Sequence, residues 1–358
     1  MPNRKNNVPA ISIIMPVFNA EQYLYDSLQS LTRQSFKNFE TVIVDDCSTD
    51  GSAAILRMFS ETDRRFKIIF LKKNGGPAAA RNAALNSASG ETVIFLDADD
   101  ILADNALTVL YTTLKNENSD ICAGIFSYFN SEGEIPVPFA FPDHPFSLDK
   151  QGIFQVLVKQ MRSPNKEFMF AYMWGRLFKH SIIQNMKLRF DEEMWTYEDL
   201  KFIFQLASAA EKLSFVPEKV YHYRIHHTGK NISMGIFSDH NRLMDLFSFY
   251  KTMIKILSAS DSVEADTGIA DNCMVNLAII HIVRYCRWMN FNNILMVYRH
   301  VKSLVKNDEF TAALKNYDGN KPGRSKLMPL LMRKRLYIAI LLLGKYKAIK
   351  RYGKDKKS

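Results

Sequence analysis

Three carboxylates close an apolar run: Val93-Ile94-Phe95-Leu96 is followed at once by Asp97-Ala98-Asp99-Asp100. A short β-rich run bounded by polar residues reads as a buried strand. The acids then sit at its C-terminal edge, where open α/β sheets bind ligands. Hard divalent cations take carboxylate oxygens, and Mg²⁺ or Mn²⁺ uses one or two of them while substrate phosphates complete the shell. The segment therefore points to a metal-bound phosphate compound. Capping of a helix over 101–114 would account for one aspartate and leave the other two unexplained.

The elements that must position these acids are legible upstream. Residues 11–15, 40–44, 67–71 and 92–96 are short and β-branched or apolar, and 21–33, 52–59 and 77–87 have helix-compatible composition. This predicts a β-α-β-α-β-α-β order and a mainly parallel, Rossmann-like sheet whose strand ends share one rim. The rim then gathers Pro16-Val17-Phe18-Asn19, Asp45-Asp46, residues 72–76 with Gly75-Gly76, and Asp97 to Asp100. Glycine at 75 and 76 permits a tight turn and close backbone approach to a ligand.

Read in order, Ile13-Ile14-Met15-Pro16-Val17-Phe18-Asn19, Val42-Ile43-Val44-Asp45-Asp46-Cys47-Ser48-Thr49-Asp50, Asn74-Gly75-Gly76-Pro77-Ala78-Ala79-Ala80-Arg81-Asn82 and Phe95-Leu96-Asp97-Ala98-Asp99-Asp100 resemble the successive motifs of the family 2 glycosyltransferases. The resemblance is dense over 11–100 and looser over 174–233. It implies a GT-A fold, a nucleotide-diphosphate sugar donor and inversion at the anomeric carbon. Carried over residue by residue, it makes Asp46 the reader of the nucleobase imide N–H, with Pro16 to Phe18 lining that pocket and Asp45 bracing the loop. Turn and helix capping is the plainer role for Asp45 and Asp46, because Ser48 to Ser52 itself reads as a helix start. Asp97, beside Ala98, becomes a contact to ribose or sugar, and Asp99 the principal ligand of a divalent metal, Mn²⁺ or Mg²⁺. Arg81 contacts the diphosphate or positions the acidic loop. Asp100 is a cap or a support.

Transfer also needs a base facing the leaving group across the sugar. Tyr197-Glu198-Asp199-Leu200 resembles the family's acidic acceptor motif, and Trp174-Gly175-Arg176-Leu177-Phe178 its upstream aromatic segment. The resemblance implies Asp199 as general base, with Glu198 orienting it or binding acceptor. The alternative is a pair of acids favoured by a helix N-terminus. Tyr221-His222-Tyr223-Arg224-Ile225-His226-His227 is similar to the family's Tyr-Arg-x-His stretch, implying His226 as second metal ligand or diphosphate contact, Arg224 on phosphate charge and Ser233 as a trailing phosphate contact.

The chain has 358 residues and a formal net charge of +10, unevenly spread. Residues 321–358 hold 13 Lys and Arg against one acid, and the preceding 320 carry 34 basic and 36 acidic side chains. Within that tail an apolar block, Leu336 to Leu343, lies between Arg333-Lys334-Arg335 and Lys345, Lys347, Lys350 and Arg351. The pattern fits an interfacial anchor on an anionic membrane surface, or a packed C-terminal helix with a basic end. It lacks a nucleic-acid-binding module. No run reaches the roughly 20 apolar residues of a spanning helix. Pro16 interrupts the first apolar run, so no signal-peptide core is expected, and Cys47, Cys122, Cys273 and Cys286 suggest neither zinc site nor disulfide framework. The expected setting is cytoplasmic and peripheral on the inner face of the plasma membrane.

The expected organisation is a catalytic domain over 1–238, a helical region over 239–320 and a basic amphipathic tail over 321–358. The catalytic domain divides into a nucleotide-sugar-binding half, 1–119, and an aromatic-rich acceptor-binding half, 120–238. Four prolines at 136, 138, 142 and 145 predict a loop between Phe126 and Ile153. Function is expected to be sugar transfer from a UDP-sugar to a hydroxyl of a cell-envelope glycan or lipid-linked glycan. The rivals are a haloacid-dehalogenase-type phosphatase, whose Asp-x-Asp belongs on a first strand, and a non-catalytic glycan-binding subunit held by the tail. Sugar, linkage and oligomeric state are not specified by these motifs.

Overall fold

A computed structural model describes residues 8–137, 140–164, 167–226, 243–260, 266–319 and 325–352. The chain divides into two compact units, one formed by residues 1–157 with 167–229 and the other by 158–166 with 230–358. The regions expected over 239–320 and 321–358 both fall in the second unit.

In the first unit, β1 (Ile11–Val17), α1 (Glu21–Thr32), β2 (Phe39–Asp45), α2 (Ser52–Thr62), β3 (Phe66–Phe70), α3 (Gly76–Ser87) and β4 (Thr92–Phe95) alternate as expected. After them come β5 (Ile101–Leu102), α4 (Ala106–Asn116), β6 (Ile121–Asn130), β7 (Gly133–Ile135), β8 (Phe146–Asp149) and α5 (Lys150–Arg162), whose residues from 158 onward are counted with the second unit. The unit then adds β9 (Arg176–Lys179), α6 (His180–Asn185), α7 (Glu198–Ala209) and β10 (Lys212–Arg224). All ten strands join one sheet in the order β3-β2-β1-β4-β9-β6-β10-β5, with β7 beside β6 and β8 beside β10. The first four are parallel, and β9 joins them to the second half antiparallel to both β4 and β6.

Burial explains this half of the sheet. β2 is buried along its whole length, and β1 except at Pro16, as expected of strands covered on both faces. Pro16 fits inside a strand because β1 pairs with β4 only as far as Ile14, so no ladder bond on that side needs its missing N–H. α3 turns Ala78, Ala80 and Ala84 inward, and their small side chains let it lie close on the sheet.

Two local expectations are corrected. The helix after Asp100 begins at Ala106, and residues 101–102 form β5 instead, because His222 and Tyr221 of β10 pair with them. The stretch between Phe126 and Ile153 contains the end of β6 and the strands β7 and β8, which pair with β6 and β10. In both places long-range pairing outweighs local propensity.

The second unit contains α8 (Leu243–Ser258), α9 (Gly268–Trp288), α10 (Ile294–Lys306), α11 (Asp308–Asn316), α12 (Leu327–Arg333) and α13 (Tyr337–Tyr352). α9 is buried nearly all round and forms the centre of this unit. α13 continues the apolar block of the tail and sets Ile340, Leu341 and Ala348 inward. Gly344 permits its close approach: a Cβ there would stand 2.7 Å from Cys286 Sγ on α9.

Candidate active site

The carboxyl ends of β1, β2 and β4 meet at the rim. After β2, Asp46 turns inward and is only 2% exposed. Its Oδ1 accepts the backbone N–H of Gly75 and its Oδ2 that of Gly76, each at 2.7 Å. This carboxylate therefore fixes the glycine turn. Burial raises its pKa, the two N–H bonds oppose the rise, and the charge of Asp45 adds to it. Asp45 Oδ2 accepts Ser48 N–H at 3.3 Å, and its Oδ1 is buried with no hydrogen-bond partner among the described residues. Asn19, at φ 48°, accepts the N–H of Thr49, and Val17 accepts that of Asp46, so the 16–19 edge is laced to the loop after β2. Phe18 stays exposed.

Asp50, Ser52 and Glu21 fasten the starts of α1 and α2 to one another. Asp50 accepts the N–H groups of Glu21 and Ser52, Ser52 Oγ that of Ala20, and Glu21 that of Gly51. Asp45 thus holds the turn at Ser48 and Asp46 the start of α3 at Gly75 and Gly76, while Asp50 and Glu21 hold the start of α2.

The three acids after β4 have different surroundings. Asp100 is fully buried; it accepts Tyr221 Oη–H and the backbone N–H of Arg224, each at 2.7 Å. Burial, followed by the charges of Asp99 and Asp97, holds its carboxyl well above the ordinary range. Asp100 caps no helix; it ties the acidic loop to the end of β10. Tyr221 is itself held by stacking on Trp174, ring centroids 4.7 Å apart, and Trp174 stacks in turn on Tyr172. The buried Arg176 guanidinium organises this aromatic segment by donating to the carbonyls of Met169, Trp174 and Phe168.

Asp99 Oδ2 lies 2.7 Å from His226 Nε2, and Arg224 Nε donates to the Asp99 carbonyl. Arg224 lies over the rings of Tyr23 and Phe129 and pairs with Asp26 at 3.4 Å. The sequence-predicted pair of metal-ligating side chains is thus adjacent, with an arginine beside it. The Asp99 carboxylate, with diphosphate oxygens and water left to complete the shell, fits Mn²⁺ or Mg²⁺, and an imidazole beside it suits the softer Mn²⁺ better than Mg²⁺. Among the described residues, no group of three or more His, Cys, Asp or Glu side chains gathers as a complete metal cage.

Asp97 faces the other way. Arg81 Nη2 donates to Asp97 Oδ1 at 3.1 Å and Arg81 Nη1 to Glu198 Oε1 at 3.3 Å, so one guanidinium joins the loop after β4 to the first turn of α7. Burial alone would lower the arginine's pKa, but Asp97, Glu198 and Asp199 more than offset it. Burial raises Asp97 as well, opposed by Arg81. Glu198 is pushed up to about 8, first by burial and then by Asp199, with Arg81 opposing. Asp199 is raised by burial against the pull of Arg81, and its Oδ1 accepts the N–H of Leu200 at 2.7 Å.

Sequence reasoning missed the loop that delivers this acid pair. Tyr197, the residue before α7, has a left-handed backbone at φ 64°, and two residues earlier Trp195 covers the glycine turn. Gly76 has φ 82°, and a Cβ on it would lie 3.3 Å from the indole. A tryptophan near an acidic pair was visible in sequence; its partner across the fold was not. Ala98, within the acidic loop, is buried. His227 and Ser233 lie outside the described residues.

An open α/β sheet with acids at the end of β4, a glycine turn anchored from β2 and a second acid pair on α7 is the GT-A type of fold expected from the sequence. Residues 12–184 match the model of the glycosyl transferase family 2, and the chain carries a domain of that family. It is 34% identical over 218 residues to glycosyltransferase GlyA of Streptococcus pneumoniae, covering 60% of this chain and 30% of that protein. It is 28% identical over 255 residues to the poly(ribitol-phosphate) β-N-acetylglucosaminyltransferase TarS of Staphylococcus aureus, covering 69% of this chain and 40% of TarS. The chain spans less than two thirds of the length of these curated relatives. The crystal structure of S. aureus TarS 1–349 in complex with UDP-GlcNAc is similar with a TM-score of 0.64 at 19% identity, covering 96% of this chain and 92% of that one.

Proposed function

We propose that the chain transfers one sugar, with inversion, from a UDP-sugar to a hydroxyl of a cell-envelope glycan or lipid-linked glycan. The observation that carries this reading is the Arg81 bridge, which joins an acid of the donor loop, Asp97, to the acid pair of α7. Relatives named as polymer glycosyltransferases and a similar fold solved with UDP-GlcNAc support the donor and the acceptor class.

In this reading Asp46 retains an open lone pair for the base imide while holding the glycine turn, and Pro16 to Asn19 wall the nucleobase. Gly75 and Gly76 allow the diphosphate close to the backbone. Asp97 contacts ribose or sugar, and Arg224 offsets phosphate charge. Asp99 and His226 would hold Mn²⁺ or Mg²⁺, which when bound supplies Lewis-acid stabilisation of the leaving diphosphate. Asp199 takes the proton from the acceptor hydroxyl as that oxygen attacks C1 and the C1–O bond to phosphate breaks, its electron pair leaving with UDP. Glu198, still protonated near neutral pH, orients the acceptor. The reading also sets the enzyme at the inner membrane face, with 321–358 toward anionic lipid, on the strength of the charge imbalance.

The test is incubation with Mn²⁺ and a panel of nucleotide sugars. Release of UDP from one UDP-sugar is expected. Release of inorganic phosphate would favour the phosphatase, and no release from any donor would favour the binding subunit.

A further inference from the structure

α13 is amphipathic in an unusual way, with apolar residues on the face that packs and on the face that does not. Ile340, Leu341, Gly344 and Ala348 turn toward the unit's interior. Ile338, Leu342, Tyr346 and Ile349 recur at spacings of four, four and three, which places them in one row along the other side. Ile338 is 70% exposed and Leu342 66%. Beside this row Lys345 Nζ donates to the carbonyls of Arg287 and Met289, at 3.1 and 2.9 Å, tying the turn between α9 and α10 to α13. Around that turn Trp288 at the end of α9, Phe291 within the turn and Leu295 in the first turn of α10 are exposed, Phe291 to 99%. Exposed basic residues Lys334, Arg335, Lys350 and Arg351 stand at the two ends of the row, and the sequence has no acid from 319 to 354.

A row of large apolar side chains between clusters of positive charge matches the boundary of an anionic bilayer. Apolar groups enter the acyl region while lysine and arginine reach the phosphates. A second copy of the same chain fits less well, since a self-complementary contact would bring these like charges together.

We propose that this face of the second unit is a membrane-docking surface. α13 lies parallel to an anionic bilayer with Ile338, Leu342 and Ile349 in the acyl boundary, and Trp288 and Phe291 enter beside it. The proposal rests on the membrane-surface reading of 321–358 and specifies the contact as the outer face of a folded helix. Co-sedimentation of the full chain with phosphatidylglycerol-containing and pure phosphatidylcholine vesicles tests both. The full chain should sediment with the anionic vesicles, and the double variant Ile338→Asp, Leu342→Asp should weaken this by about tenfold or more, with circular dichroism and UDP binding unchanged. Should that variant misfold, brominated-acyl vesicles decide the point: they should quench tryptophan emission of the full chain and quench Trp288→Phe less. If the full chain stays in the supernatant, both the membrane reading and this face are wrong. If the folded double variant binds like the parent, the membrane reading stands and this face is wrong. A concentration-dependent dimer abolished by the double variant would make a second copy the partner and overturn the proposal.

Discussion

Asp199 and Glu198 are neighbours in sequence and opposites in chemistry. Both are raised by burial, and the charge that Asp199 acquires on ionising helps hold the proton on Glu198. Two carboxyls whose ionisations are driven apart divide naturally into a base and a proton-bearing partner. Asp199→Asn should therefore leave UDP affinity near that of the parent and lower transfer by about 10² to 10⁴, read from single-turnover rates beside a UDP titration. Transfer at the parent rate would move the base elsewhere. The pH profile separates the partners further. As pH rises, kcat/KM should climb while Asp199 ionises, then bend downward near pH 8, where Glu198 loses the proton with which it orients the acceptor. Glu198→Gln should retain the climb and lack the bend. A bend that persists in this variant would assign it to another group.

Among the elements, the parallel half of the sheet was legible because β-branched runs alternate with short helices, and each expected strand lies within two residues of its observed place. The rim motifs were legible for the same reason, since they begin where the apolar runs stop. What stayed hidden depends on distant partners. Nothing around Asp100 announces Tyr221 or the N–H of Arg224, which make it an anchor for β10 where a helix cap was the simple local alternative. Trp195 and Gly76 are likewise far apart in sequence, and the left-handed backbone at Tyr197 that brings them together has no local glycine to mark it. The glycine turn provides a test at this scale. A side chain at Gly76 meets both a positive φ and the Trp195 ring, so Gly76→Ala should cost about 1–2 kcal/mol for the backbone alone. In a unit of this size that corresponds to roughly 2–4 °C in Tm per kcal/mol. Calorimetry should show the loss together with weaker UDP binding. An unchanged Tm would mean that the turn relaxes freely.

For the molecule as a whole, composition showed where the positive charge lies but not how that segment folds. The apolar block was consistent with an interfacial anchor and with a packed helix, because eight residues do not state which face meets protein. In the structure Met328, Met332, Ile340, Leu341 and Ala348 are core residues of the second unit. Removing everything after Asn320 would expose the helices they cover, with large side chains worth about 1.5–3 kcal/mol each when fully buried. Truncation should accordingly destabilise the second unit, seen as a lost or lowered calorimetric transition and faster proteolysis within 243–319. A truncated chain with unchanged transitions would mean that α12 and α13 contribute little to that core. Outward-facing substitutions on α13 are therefore the cleaner probe of membrane binding.

The central claim is that Asp99, with His226, holds a divalent ion against the diphosphate of a UDP-sugar. Isothermal titration of UDP into the protein, with and without Mn²⁺, tests it most directly when repeated on Asp99→Asn. The amide keeps the size of the side chain and removes the charge that a hard cation requires. UDP should bind the parent more tightly with Mn²⁺ than without it, and Asp99→Asn should lose that difference while its unfolding transition stays in place. Equal Mn²⁺-dependent affinity in parent and variant would remove Asp99 from the site and contradict the account.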